Sequence, residues 1–318
     1  MKYGIVGAGP VGSILAVHLV EAGQEVYLVD LWKEHLDAIL GDGVRLSGVR
    51  EGQARVAGGF TRISDLKTVS PDFLVLSVKA CALSHIMREV EEALGPETVI
   101  VSLQNGLDTE ELIAHTFTRR RILRVVINYA GNIQSPGRVA VNFFNKPNHV
   151  GCNCGKDLCE HATAFADMLT GVYLDTRAEP DIKRYVWEKT ILNAGLSPVS
   201  AVTGLTMREV MDSSETYRIV ESLLHECISV AAHLGYDFGP GFFNFCMAYL
   251  EKGGPHKPSM LVDIENGRET EIDFVNGRIA YYGSLYNVPT PVNDMFTRLV
   301  KSFENRYLAA ERAHAGGH

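Results

Sequence analysis

The chain has 318 residues, 46% hydrophobic and 21% charged, which exceeds the roughly 250–300 residues at which single cores stop growing, so two domains are expected. A formal net charge of -8, with Arg119-Arg120-Arg121 as a lone short basic cluster, argues against a polyanion partner, and no nucleic acid is expected. No apolar run approaches the ~18–20 residues of a membrane span, and glycines interrupt the apolar N-terminus that superficially resembles a signal peptide. No membrane contact and a cytoplasmic location are therefore expected. Six cysteines are too few for a disulfide-dense scaffold, and Cys81, Cys227 and Cys246 read as buried thiols.

From residue 2 to about 130, short β-branched runs alternate with amphipathic stretches, the pattern of an α/β doubly wound parallel sheet. Strands are predicted at Lys2–Val6, Glu25–Asp30, Phe73–Val78, Thr98–Leu103 and Ile122–Tyr129. Helices are predicted at Pro10–Ala22, Trp32–Leu40, Cys81–Leu94 and Thr109–Phe117, the last opened by Asp108 as N-cap with Glu111 three residues on. Val44–Phe60 alternates weakly and is glycine-rich, suggesting extra strands outside the crossover pattern, and Arg138–Gly151 reads as a hairpin around Asn145-Lys146-Pro147-Asn148. After about residue 178 the period becomes helical, with segments at Ile182–Ala194, Glu215–Leu234, Phe242–Leu250 and Asn293–Ala310. The expected domains are thus 1–178, a sheet domain, and 179–318, an all-α domain.

Gly7-Ala8-Gly9-Pro10-Val11-Gly12 lies between the first strand and the first helix, the context the G-x-G-x-x-G dinucleotide fingerprint requires. The first glycine permits the tight turn, the second lets a pyrophosphate approach the backbone, and the third lets helix and strand pack closely; the phosphates then meet the positive end of the helix dipole. The sheet domain is accordingly Rossmann-type. Asp30, at the end of the second strand, is placed to accept hydrogen bonds from the adenosine ribose, or simply to cap the following helix. Its charge would repel a 2′-phosphate, favouring NAD(H), while Lys33 and Lys79 are counter-charges that leave NADP(H) open.

In the second half, Lys189 and Asn193 stand four residues apart and share a helix face. Ser197 extends that row if the helix persists, although Gly195 and Pro198 predict a break. By composition alone this row is as well read as an exposed polar stripe, and Ser259, Glu271, Asp273 and Asn276 as a charged helix start.

Taken together, the glycine fingerprint, Ser77-Val78-Lys79-Ala80, Gln104-Asn105-Gly106, Trp187-Glu188-Lys189 with Asn193, Pro258-Ser259-Met260 and Glu271-Ile272-Asp273-Phe274-Val275-Asn276-Gly277 resemble the ketopantoate reductase family over nearly the whole chain. The resemblance implies a Rossmann domain joined to a helical substrate and dimerisation domain, with a small 2-oxo/2-hydroxy acid bound in the cleft between them. It implies Lys189 as general acid, Glu271 as a carboxylate that binds substrate and holds the lysine, and Asn193 and Ser259 as substrate contacts. Asn105 would lie near both nicotinamide and substrate, and Lys79 falls among the cofactor contacts. Ser197 and His256 stand where family members often carry asparagine, and Asp30 replaces the basic or neutral residue of an NADPH enzyme. These departures leave open an NAD-linked dehydrogenase of a different 2-hydroxy acid working oxidatively; a dinucleotide sensor without turnover, or a 3-hydroxy acid dehydrogenase, are further alternatives. A homodimer is compatible with the resemblance. Cys152, Cys154, Cys159 and His161 are too irregularly spaced for zinc, so no metal is expected there and a turn leading into a helix is; His225 and His233 read as helix-face residues, and Arg312 to His318 as a frayed tail.

Overall fold

The computed structural model describes residues 1–155 and 158–315. In chain order, β1 (Lys2–Val6), α1 (Pro10–Glu21), β2 (Glu25–Val29) and α2 (Lys33–Asp42) are followed by the short strands β3 (Val44–Gly48), β4 (Gly52–Ala54) and β5 (Gly58–Phe60). Next come β6 (Phe73–Leu76), α3 (Leu83–Ala93), β7 (Val99–Ser102), α4 (Thr109–Ala114), β8 (Ile122–Val126), β9 (Tyr129–Ser135), β10 (Arg138–Phe144), β11 (Asn148–Cys152), α5 (Glu160–Gly171) and β12 (Thr176–Ala178). Helices follow: α6 (Ile182–Thr203), α7 (Met207–Asp212), α8 (Ser214–His233), α9 (Phe242–Glu251), α10 (Ser259–Glu265), α11 (Asn276–Tyr286) and α12 (Pro291–Ala315). The chain forms two compact units, one of Met1–Gln104 with Asp108–Tyr185, the other of Asn105–Leu107 with the chain from Val186 onward.

The first unit holds an eight-stranded sheet in the order β12-β11-β8-β7-β6-β1-β2-β5. Its central strands are parallel and apolar on both faces, as a sheet covered on both sides demands. Tyr3 and Ile5 turn to one face and pack with Leu28, Val75, Val101 and Phe165, while Val6 turns to the other with Leu76, Ile100, Val90 and Ile113. A second sheet, ordered β4-β3-β10-β9, shares the first of these clusters with α1. That helix is buried at every position from Gly12 to Leu19 because it is covered by sheet on both sides. The chain order reverses at β1, flanked by β2 on one side and β6 on the other. Open α/β sheets bind ligands beyond the carboxyl ends of the strands at such a switch point.

Several local expectations are corrected. Arg138–Gly151 is not one hairpin: β10 pairs antiparallel with β9 in the small sheet, whereas β11 joins the large sheet antiparallel to β8. Asp108 occupies the N-cap of α4 but is left-handed at φ 63° and makes no side-chain cap bond. Glu111 closes no capping box; its carboxylate pairs with Arg119 at 2.5 Å and Lys183 at 2.7 Å, and Arg119 foremost pulls it down to about 2. Arg119 and Arg121 of the basic cluster thus bind within the fold, Arg121 by donating to Thr98 O and Gly95 O. Cys81 is half-buried, unlike Cys227 and Cys246. Cys152 is joined to Cys154 as a disulfide and Cys159 caps α5 by accepting from Ala162 N; Lys156 and Asp157, within the same stretch, lie outside the described residues. α12 continues to Ala315, so Arg312–Ala315 belong to a helix rather than to a tail, and residues 316–318 lie outside the described residues.

α6 also departs from expectation: it runs as one helix to Thr203 with Pro198 inside it, and no break occurs after Ala194. Among the described residues, no helix is long and apolar enough to cross a membrane.

Candidate active site

In the first unit, the turn after β1 is closed by Gly7 N–H donating to Val29 O (2.8 Å) and Ser77 N–H donating to Val6 O (2.8 Å). Gly7 has φ 99°, and a Cβ there would lie 2.9 Å from the Ser77 carbonyl carbon, so both conformation and space require glycine. A Cβ on Gly12 would lie 2.1 Å from Gly7 O, which is the close helix–strand approach the fingerprint needs. Gly9 differs: a Cβ there would meet no protein atom within 4 Å. It is the N-cap of α1 and provides no side-chain cap, and Pro10 follows at the first helical position. The helix start is therefore shaped for an external acceptor, and the residues fit a dinucleotide pyrophosphate.

The Ala8 peptide is clamped from three sides. Its N–H donates to Asp30 Oδ2 (2.7 Å), and its carbonyl accepts from Ser13 Oγ (2.7 Å) and His35 Nε2 (3.0 Å). Gly137 N–H donates to His35 Nδ1 at 3.1 Å, so the ring carries its proton on Nε2. His35 is not legible as a site residue, because its two partners lie 27 and 102 residues away in the chain. Asp30 Oδ1 also accepts from Trp32 N–H (2.8 Å), the N-cap residue of α2; the two amides orient the carboxylate, and each oxygen keeps a lone pair for a ribose hydroxyl. Lys33 lies 2.5 Å from Asp37. Lys79 is half-buried at the N-cap of a 3-10 turn, Ala80–Ala82. Gln104 donates to Leu76 O (2.6 Å) and Val78 O (3.0 Å) while accepting from Ser102 Oγ, tying the loops that follow β6 and β7.

In the second unit, Lys189, Asn193 and Ser197 are half-buried and line one face of α6, while Val186, Trp187, Ile191, Ala194, Leu196 and Val199 are buried. A polar row at this depth is not the solvated stripe that composition allowed. Asn105 Nδ2 donates to Glu271 Oε2 at 3.1 Å. Around this contact, Leu107 N–H donates to Phe274 O (2.8 Å), and a Cβ on Gly106, whose φ is 92°, would fall 2.5 Å from that same oxygen. Asn105–Leu107 therefore straps the Glu271 segment at backbone distance. Thr270, next in chain, is anchored by N–H and hydroxyl to the buried Glu304 (2.8 and 2.6 Å), and Asp273 pairs with Lys301 (2.6 Å). Glu271 is held on both sides. Ser259, the first residue of α10, and His256 are both exposed. The second unit thus carries a fixed carboxylate, an ammonium and several amides and hydroxyls, the kinds of group that bind an oxygen-rich acid and move a proton.

A dinucleotide-type turn at the sheet's switch point, together with a helical unit bearing lysine and carboxylate, defines a nicotinamide-dependent oxidoreductase. The profile of the ketopantoate reductase PanE/ApbA family matches residues 3–153, and that of the family's C-terminal region matches residues 181–304. The chain belongs to the ketopantoate reductase family. A 2-dehydropantoate 2-reductase of Archaeoglobus fulgidus is 28% identical over 301 residues, covering 95% of this chain and 97% of that protein. A D-mandelate dehydrogenase solved with NADH and anilino(oxo)acetate is 27% identical, covering 96% of this chain and 99% of that one, with a TM-score of 0.84. A PanE/ApbA family ketopantoate reductase from Ralstonia eutropha JMP134, 24% identical, shares the fold at a TM-score of 0.86 over 97% and 100% of the two chains.

Proposed function

We propose that this protein reduces 2-dehydropantoate, or a closely similar branched 2-oxo acid, with NADH as the preferred cofactor, acting in the cytoplasm. The observation that carries the reading is the Asn105–Glu271 pair, braced from both sides, in the same unit as the half-buried Lys189–Asn193–Ser197 row. The nicotinamide, when bound, supplies the hydride. Gly7, Ala8, Gly9, Pro10, Val11 and Gly12 hold the pyrophosphate against the start of α1, Asp30 takes the ribose hydroxyls, and Lys79 and Asn105 complete the cofactor contacts. Lys189 donates its ammonium proton to the oxygen of the carbonyl as charge develops there; a positioned acid contributes roughly 10²–10⁴-fold. Glu271 accepts from the substrate and keeps the ammonium in place, and Asn193, Ser197, His256 and Ser259 bind the rest of the acid.

NADH is favoured over NADPH because the Asp30 carboxylate, oriented by two amides, meets a 2′-phosphate with like charge. Leu31 beside it is 91% exposed and uncharged, and Lys33 is engaged by Asp37. Initial rates with each cofactor on ketopantoate and on an aryl 2-oxo acid test both parts. Turnover of ketopantoate, faster with NADH, is expected. A clear NADPH preference would overturn the role of Asp30, and an aryl acid outrunning ketopantoate would move the substrate assignment.

We also infer that the protein pairs as a homodimer through the helical unit. Met295, Leu299 and Phe303 recur every four residues on α12 and are 36–48% exposed, an apolar stripe of the kind that marks association surfaces. Light scattering should return twice the 34.9 kDa chain mass; a monomer at micromolar concentration would contradict this.

A further inference from the structure

Proline has no N–H, so a proline inside a helix leaves the carbonyl four residues back without its donor. In α6 that proline is Pro198 and the stranded acceptor is the carbonyl of Ala194, which is fully buried. An unsatisfied buried acceptor costs stability and ordinarily kinks or ends a helix there. Here a donor arrives from elsewhere in the fold: Asn276 Nδ2, at the start of α11, donates to Ala194 O at 3.0 Å.

The same amide donates a second bond, to Asn293 Oδ1 (2.9 Å). Asn293 Nδ2 in turn donates to Glu226 Oε2 (2.7 Å), and the Glu226 carboxylate accepts the backbone N–H groups of Val292 and Asn293 (2.9 Å each) at the start of α12. Asn276 donates in both directions, to Ala194 O and to Asn293, which donates onward to Glu226, so the relay ends at both sides on an oxygen that can only accept. It fixes which atom of each amide is nitrogen. Asn276 and Asn293 are both 0% exposed, so neither can touch a substrate. At the next position, Gly195 lets α8 approach so closely that a Cβ would lie 2.6 Å from Leu224 Cδ2.

The stranded carbonyl sits directly after Asn193 and before Ser197, in the middle of the polar row that begins at Lys189. We propose that Asn276 is a positioning residue for the reaction: its amide supplies Ala194 with the hydrogen bond that Pro198 removes, and so sets the course of α6 between Asn193 and Ser197. This rests on the reading of Lys189, Asn193 and Ser197 as the substrate row.

The test uses Asn276→Ala, the isosteric Asn276→Asp, Pro198→Ala and the double variant Asn276→Ala/Pro198→Ala. Pro198→Ala restores an N–H able to reach Ala194 O within the helix, so the double variant should recover what Asn276→Ala loses. Each Asn276 variant is expected to lower kcat/KM for the 2-oxo acid by about 10–100-fold, the scale of a small misplacement of reacting groups. NADH affinity should be unchanged, and deuterium exchange across residues 194–203 should quicken. In the Pro198→Ala background both effects should largely vanish, which a loss of general stability would not produce. Equal penalties with and without Pro198, or wild-type turnover and exchange in Asn276→Ala, would overturn the proposal. Should both Asn276 variants fail to fold, a folded double variant supports it and an unfolded one overturns it. If the wild type turns over no 2-oxo acid, the functional reading fails by itself, and the exchange pattern still decides whether Asn276 compensates Pro198.

Discussion

Lys189→Ala is expected to reduce kcat for the 2-oxo acid by about 10²–10⁴-fold, the contribution of a positioned proton donor that also stabilises a developing alkoxide. The effect should fall on kcat, because the ammonium interacts more strongly with the oxygen as it gains charge than with the ground-state carbonyl. Dinucleotide affinity, measured by NADH fluorescence titration, should stay at the wild-type value, since the turn proposed to hold the phosphates lies in the other unit. Lys189→Arg should remain strongly impaired: it keeps a charge but has no proton to release at ordinary pH. A Lys189→Ala enzyme with kcat within a few-fold of wild type would remove lysine from the chemistry.

The second large effect separates two glycines of one motif. Gly12→Val places a side chain where even the Cβ meets Gly7 O at 2.1 Å. Overpacking of this kind typically costs about 1–3 kcal/mol, and expressed as lost dinucleotide affinity that is about 5–150-fold; the melting temperature should fall as well. Gly9→Ala adds a methyl that touches no protein atom within 4 Å, so the melting temperature of the free protein should not fall. Its NADH affinity should nevertheless drop, because the added atom occupies space that the pyrophosphate requires. A Gly9→Ala protein that binds NADH as tightly as wild type would show that the phosphates do not approach the backbone there.

Much of the sheet unit was legible because its signals are local. β-branched runs give β1, β2, β6, β7 and β8 to within a few residues, and the glycines sit where close approach requires them. What was not legible depends on partners distant in sequence. Pro198 reads as a helix breaker from its neighbours, yet the helix continues because Asn276, 82 residues beyond Ala194, replaces the missing donor. The segment around Asn145–Asn148 carries turn chemistry that fits a hairpin, but β10 and β11 find their partners in different sheets. Asp108 fits the cap pattern by residue type while its left-handed backbone carries the side chain away from the cap geometry. At the candidate site, the proposed roles of Lys189, Asn193 and Glu271 come from the family resemblance of their motifs, since spacing and composition alone leave a polar stripe and a charged helix start. The anchoring of Glu271 by Asn105, and of the Ala8 peptide by His35, follows from packing that no window of sequence contains.

The most direct test of the central claim follows the hydride itself. With NADH deuterated at the nicotinamide C4 and 2-dehydropantoate as acceptor, the product 2-hydroxy acid should carry deuterium at C2, read by mass spectrometry and NMR, with one cofactor oxidised per product formed. Cofactor bound but not oxidised, or product formed without deuterium from either face of C4, would contradict the account.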